Sequence, residues 1–336
     1  AFARGDGSYA YGCPSAWRGG ETALSAATAD GALVVTVSGG AASRSTDGGC
    51  TFEPVGAEAG LSFFDLARAR GAVYLLGAGA SRSALARVRA GGPAEIVAAF
   101  AHEGEGALVP DGLAAFEGEG EGDAGLVLAG ARPTPAAVAA PLGAVDGPLA
   151  LSPLGPLPLG AGVVRLVPRA ALASGEAFLV ATEGRTLRLV HAPPAPGAPF
   201  ASPPAWAAEA ATQGALLGPA PLGGRWLVVR DGRLEAAAIG QPAIPSWSPL
   251  GPVDWTCLGA VDGAAHACTL PALLRLDPGP GPAPLATPAF SLAQLGPPDP
   301  ACARPEGERA ACAADWTHFA AEAGLFDTDP ATTPGG

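Results

Sequence analysis

The sequence predicts an all-β chain made of a repeated unit of short strands, finished by one short C-terminal α-helix. Three observations carry that expectation: a glycine-led apolar run that recurs along the chain, a composition rich in both turn formers and core formers, and a single alanine-rich helical pattern near residue 310.

The recurring run is Gly31-Ala-Leu-Val-Val-Thr-Val, Gly71-Ala-Val-Tyr-Leu-Leu, Gly125-Leu-Val-Leu-Ala, Gly175-Glu-Ala-Phe-Leu-Val, Gly224-Arg-Trp-Leu-Val-Val and a degraded Gly263-Ala-Ala-His-Ala-Cys. Their leading glycines lie 40, 54, 50, 49 and 39 residues apart, the length of one four-stranded propeller blade. A β-propeller follows, with six blades preferred to seven. A second apolar segment precedes several runs, as in Leu61-Ser-Phe-Phe-Asp-Leu-Ala, Val163-Val-Arg-Leu-Val-Pro and Leu216-Leu-Gly-Pro-Ala; a third follows, as in Ser83-Ala-Leu-Ala-Arg-Val-Arg and Thr186-Leu-Arg-Leu-Val-His. Near-continuous apolar strands suit the inner part of a blade, buried on both faces by its neighbours. The alternating third segment suits a strand nearer the rim.

Gly 49 and Pro 36 together make about a quarter of the chain, the level at which disorder competes with folding, but 11 Phe, 6 Trp and 49% hydrophobic residues supply a core. Glycine and proline then read as tight turns. Pro193–Pro199 and Pro278–Pro284 are expected to be extended linkers. The acidic Gly118–Asp123 segment reads as a hairpin tip rather than a Ca2+ cage, because alternating glycines fix no ligand geometry.

Glu308–Gly324 is the helix: Cys312, Trp316, Phe319 and Ala323 share one face and Gly324 is the stop. The expected division is a propeller over residues 1–298, a disulfide-stapled helical extension over 299–326 and a flexible tail over 327–336.

The chain has 19 basic residues against 31 acidic ones, a net charge of −12, and every basic residue is Arg. That balance disfavours nucleic acid or an anionic membrane surface as partner, since both require a cationic face. No run approaches the ~18 apolar residues of a spanning helix. The N-terminal AFARGDGSYAYG contains no basic-plus-apolar leader, so an export signal, where one is used, is expected to be already removed. Six cysteines point outside the reducing cytosol: Cys257 with Cys268 across a hairpin, Cys302 with Cys312, and Cys13 with Cys50 are the expected pairs among the 15 possible pairings. A zinc site is the lesser reading, because there is no CxxC and His102, His191, His266 and His318 are far apart in sequence.

Ser45-Thr46-Asp47-Gly48-Gly49-Cys50-Thr51-Phe52 fits S-x-D-x-G-x-T-[WF] at every fixed position. Its chemistry is that of a turn: Asp47 accepts backbone N–H bonds within the loop, Gly49 supplies a positive φ, and Thr51 and Phe52 start the returning strand. The segment resembles the Asp-box, or BNR repeat, of sialidase-like β-propellers, sortilin-type receptor ectodomains and the photosystem II assembly propeller. In those families the box lies at the periphery, so the resemblance implies a structural Ser45, Asp47, Gly49, Thr51 and Phe52 and no catalytic role. The layout as a whole, a cysteine-stapled Asp-box propeller with a small-residue end, is similar to envelope propellers of myxobacteria, which implies a secreted or surface-displayed protein.

Sialidase-like hydrolysis would need cations clamping a carboxylate and a Tyr nucleophile beside a Glu. No Arg-x-Pro precedes the box, and of Tyr9, Tyr11 and Tyr74 the last lies within an apolar run. Gly77-Ala-Gly-Ala-Ser-Arg82 lacks the third glycine and the helix of a dinucleotide loop, and Arg4-Gly5-Asp6 is too short to carry weight. The expected function is therefore a non-catalytic propeller, with no cofactor and no metal, that binds a protein or glycan partner at one face or acts as a scaffold. The alternatives are a sialidase-like carbohydrate-active enzyme and an assembly factor for an envelope complex.

Overall fold

The protein is described here from a computed structural model, which covers residues 2–3, 9–10, 23–27, 33–47, 51–56, 60–118, 123–143, 147–194, 200, 203–241, 244–261, 264–270, 272–291, 294–297, 302 and 306–322. It is a six-bladed β-propeller with a C-terminal helix. Strands β1 (Phe2–Ala3) and β2 (Tyr9–Ala10) precede the blades. Blade 1 is β3 (Ala23–Ala27), β4 (Val34–Ser38), β5 (Ala41–Ser45) and β6 (Glu53–Pro54); blade 2 is β7 (Ser62–Ala69), β8 (Ala72–Ala78), β9 (Arg82–Val88) and β10 (Glu95–Ala101). Blade 3 is β11 (Gly112–Phe116), β12 (Gly125–Gly130), β13 (Ala136–Pro141) and β14 (Ser152–Pro153). In blade 4, β15 (Val163–Ala171), β16 (Ala177–Glu183) and β17 (Thr186–Ala192) are followed by β18 (Ala207–Ala208) and β19 (Thr212–Gln213), both paired to β17.

Blade 5 is β20 (Leu216–Leu222), β21 (Arg225–Arg230), β22 (Arg233–Ala238) and β23 (Ser248–Pro252); blade 6 is β24 (Cys257–Val261), β25 (Ala264–Thr269), β26 (Ala272–Asp277) and β27 (Leu285–Ser291). Within every blade the strands are antiparallel neighbours in chain order, the pairing that short turns permit. A separate three-stranded sheet joins the two ends of the propeller: β2 pairs antiparallel with β1 and parallel with β28 (Leu295–Gly296), Tyr9 opposite Leu295.

The glycine-led runs are the second strands of their blades, and the apolar segments before them are the first strands. β4 and β12 are buried along their whole length and β8 along all but its last residue, because a second strand is covered by the neighbouring blades on both faces. The core accordingly sits between blades. Leu76, Leu85, Leu126 and Leu128 join blades 2 and 3, and Val127, Ala139, Leu166 and Leu179 join blades 3 and 4.

The third strand differs from the expected rim strand: β9 is buried from Ser83 to Val88. Its charged member, Arg87, is buried and paired with the exposed Glu95 on β10 at 2.5 Å, so an alternating sequence here marks an ion pair that reaches in from the blade edge. Gly77–Arg82 forms the β8–β9 turn, closed by Gly79 N donating to Arg82 O at 2.8 Å. It is a hairpin, not a nucleotide loop.

Helix α1 spans Glu306–Glu322, with Glu306 and Glu308 in its first turn, where the helix dipole favours acids. Cys312 and Ala320 are its buried residues, and the half-buried rings of Trp316 and Phe319 lie 6.1 Å apart. Ala323, Gly324 and the tail lie outside the described residues. No described helix is long and apolar enough to cross a membrane.

Cys257 and Cys268 are bonded across the β24–β25 hairpin, directly opposite in register. Cys302 and Cys312 each take part in a disulfide bond, and of the three expected pairs only Cys257–Cys268 is seen among the described residues. Cys13 and Cys50 lie outside the described residues, as do Arg4-Gly5-Asp6 and residues 119–122 of the acidic loop.

Candidate functional site: the channel wall of blades 2 to 4

The first strands pack against one another around the channel: β11 against β7 and β15, β20 against β15 and β24, β3 against β7. Hydrogen bonds set their relative direction. Asp65 Oδ2 accepts from Leu113 N at 2.9 Å, while five residues further along β7 Arg70 N donates to Glu117. Asp111 Oδ2 accepts from Leu166 N at 2.9 Å and from Ala131 N at 2.8 Å, so one carboxylate binds blade 3 to blade 4. Contacts advance together along β7 and β11, so these first strands run in the same direction.

These strands are also bulged. On β7 Phe63 pairs with Gly77 and Asp65 with Leu76, leaving Phe64 as the extra residue. On β15 Val164 and Arg169 are extra in the same way. A bulge leaves one residue outside the ladder and re-aims its side chain. The outcome is visible in exposure: Phe64 is 37% and Val164 62% accessible, and Arg169 is exposed within a strand whose other members are mostly core. Arg165, directly after the first β15 bulge, is exposed too.

Between β7 and β15 lies β11, whose sequence is Gly-Leu-Ala-Ala-Phe. A Cβ on Gly112 would stand 2.7 Å from Val167 Cγ1 and 2.9 Å from Asp65 Oδ2. The missing side chain therefore brings blades 2 and 4 together across blade 3, with Asp65 level with Val167–Pro168, between Arg165 and Arg169. Ala114, half-buried and on the same face of β11 as Gly112, keeps the intervening wall low.

Electrostatics follow from this geometry. Burial raises the Asp65 pKa above its usual 3.8; the amides of Leu113 and Leu66 and the charges of Arg169 and Arg165 pull the other way and do not cancel it. Arg169 is lowered, first by the protein that surrounds it and then by the like charge of Arg165, with Asp65 opposing. A head group in a narrow channel keeps contact with solvent and still loses much of its hydration.

The sign for Asp65 is set by linkage. A carboxyl whose pKa rises on folding adds stability that is fully present below about 3.8 and is lost as pH rises through the folded value. Asp65→Ala should therefore lose most, relative to wild type, at pH below 4, and the gap should narrow toward neutrality. Urea titrations across that range test this; a gap widening with pH would contradict it.

The residues singled out by sequence fall elsewhere. Ser45, Asp47, Thr51 and Phe52 lie at the β5–β6 connection of blade 1, away from this wall. Ser45 Oγ donates to Asp47 Oδ1 at 2.7 Å, Thr51 N to Asp47 Oδ1 at 2.9 Å and Thr51 Oγ1 to Asp47 Oδ2 at 2.7 Å. Gly49 lies outside the described residues. Tyr74 is buried at 3% exposure. Ser83 is fully buried with its Oγ 3.0 Å from His102 Nε2, and His191 is fully buried against Glu176. His266 Nδ1 lies 3.0 Å from its near neighbour Ala264 O, and His318 faces Glu322 on the helix surface. Among the described residues no three His, Cys, Asp or Glu side chains gather as metal ligands.

Asp65, Arg165 and Arg169 were not singled out by sequence. The available signal was charge inside the otherwise apolar first strands β7 (Ser62–Ala69) and β15 (Val163–Ala171).

The fold and wall define a six-bladed β-propeller with paired cations on one side of its channel. No family model matches the chain, and comparison with curated proteins finds no match. Solved structures resemble it in shape. They include the WD40 domain of SCAP from fission yeast, at 10% identity over 75% of this chain and 58% of that one, TM-score 0.43. A chain of a nidogen/laminin complex matches at 11% identity over 76% and 88%, TM-score 0.41. A prolyl endopeptidase matches at 16% identity over 82% and 42%, TM-score 0.45. The chain thus spans less than two thirds of the WD40 and endopeptidase chains. These likenesses are too distant to bear on activity, and the propeller assignment stands on the strand pairing itself.

Proposed function

We propose that the protein is a non-catalytic binding or scaffold propeller that works outside the reducing cytosol and holds a protein or glycan partner at the channel mouth. One observation carries the reading. The side chains that reach solvent along this wall are recognition groups, Arg165, Arg169, Val164 and Phe64, whereas Ser83, Tyr74 and His191, which chemistry would need, are buried. The Cys257–Cys268 bond supports an oxidising location. The hydrogen bonds around Asp47 support reading that turn as an Asp-box with a structural role.

Purified protein incubated with a panel of soluble glycans and peptides should retain at least one class at unchanged mass, measured by mass spectrometry of bound and free fractions. Product masses that accumulate with time would overturn the non-catalytic reading.

A further inference from the structure

We propose that the channel wall binds an oxyanion, a carboxylate, sulfate or phosphate group, between the guanidinium groups of Arg165 and Arg169, over the low floor made by Gly112 and Ala114. This rests on the binding reading above and names the chemistry of its ligand.

Five of the other arginines each meet an acid. Arg44 meets Glu53 at 2.7 Å, Arg87 meets Glu95 at 2.5 Å, Arg188 meets Glu183 at 3.1 Å, Arg230 meets Glu209 at 2.5 Å and Arg275 meets Asp277 at 3.1 Å. With 31 acidic residues against 19 basic ones, partners are plentiful. Yet among the described residues the guanidinium groups of Arg165 and Arg169 make no ion pair and no hydrogen bond, although Arg169 feels the like charge of Arg165.

The nearest acid does not fill the gap. Asp65 spends Oδ1 on Leu66 N and Oδ2 on Leu113 N, each at 2.9 Å, and stands beyond ion-pair distance from both arginines. A partly desolvated cation that also feels a like charge is costly unless a counter-charge completes it. A guanidinium offers a planar fork of N–H donors matched to an oxyanion. The bulges aim the pair: Arg169 is itself an extra residue and Arg165 follows one. The exposed Val164 and Phe64 supply apolar contact for the carbon skeleton that carries the anion.

The test is calorimetric titration of the full chain with sodium sulfate, sodium phosphate and sodium glucuronate, at ionic strength held constant with NaCl. Saturable binding of at least one is expected, weakened tenfold or more by Arg165→Gln and by Arg169→Gln. Arg275→Gln, on the exposed Arg275–Asp277 pair of blade 6, should leave it unchanged. Preference for glucuronate would indicate a uronic acid or acidic peptide as source, and preference for sulfate or phosphate an esterified ligand.

Circular dichroism of each variant checks folding, and Arg169→Lys, which keeps the charge without the fork, should retain part of the affinity. The proposal is overturned if none of the three binds saturably, or if the double glutamine variant binds as wild type does. Saturable oxyanion binding together with product masses accumulating in the glycan and peptide panel would sink the non-catalytic reading while leaving the anion site standing. A retained partner without any oxyanion binding would do the reverse.

Discussion

Glu176→Ala is expected to cost about 3–5 kcal/mol of unfolding free energy, the range seen when one partner of a buried charged network is removed. Glu176 is completely buried. Its Oε1 accepts from Trp226 Nε1 at 2.7 Å and lies 3.1 Å from His191 Nε2, while Oε2 accepts from Gly240 N at 2.9 Å. Blades 4 and 5 are thus fastened through one side chain.

Phe178 seals the network, 4.6 Å from the His191 ring and 4.9 Å from that of Trp226. The buried Nδ1 of His191 has no hydrogen-bond partner among the described residues. Alanine would leave the buried Trp226 Nε1 without its acceptor, a loss of about 1–3 kcal/mol, and would also remove the partner of Gly240 N and the contact to His191 Nε2. Glu176→Gln, which keeps one acceptor oxygen, should lose roughly half as much. Trp226→Phe combined with Glu176→Ala should cost less than the sum of the two, because they share a bond. Urea unfolding followed by tryptophan fluorescence measures all four; a loss under about 1 kcal/mol for Glu176→Ala would refute the fastening role.

Gly130→Ala should be as damaging, at about 3 kcal/mol or more. A Cβ at this position would stand 1.9 Å from Val109 O, 2.7 Å from Val109 C and 3.0 Å from Pro110 Cα. These are backbone atoms and have nowhere to go: Val109 N is tied to Arg132 O at 2.9 Å and Asp111 N to Ala129 O at 2.7 Å. Movement there also displaces Asp111, whose carboxylate holds Leu166 beside Arg165. Weaker anion binding is therefore expected alongside the fall in melting temperature. Gly91→Ala, with nothing within 4 Å and no positive φ, is the neutral control. Equal melting temperatures for the two variants would refute the packing argument.

Blade number was legible because second strands are the most uniformly buried, so Val73–Leu76 and Leu126–Leu128 stand out as runs between glycines. The turn around Asp47 was legible because its partners Ser45 and Thr51 are two and four residues away. The channel site was not: whether Arg165 and Arg169 share a wall with Asp65 depends on bulges, and an extra residue in a ladder leaves no mark in a period-two pattern. Glu176 was hidden for a related reason. It sits inside a repeat unit as one more residue after Gly175, and its partners Trp226 and Gly240 are 50 and 64 positions downstream. Buried polar groups of this kind take their meaning from distant donors.

The parallel pairing of β2 with β28 also orders events in time. Each blade is a contiguous stretch of chain, able to fold as it leaves the ribosome, N-terminal units first. The edge of Tyr9–Ala10 has to wait until all six blades have been made before Leu295–Gly296 arrives to cover it. For that interval the nascent protein carries an unpaired strand edge, the template on which chains pair wrongly with one another. A strand made before the blades is thus secured only after them, and mispairing between neighbouring nascent copies is most exposed there.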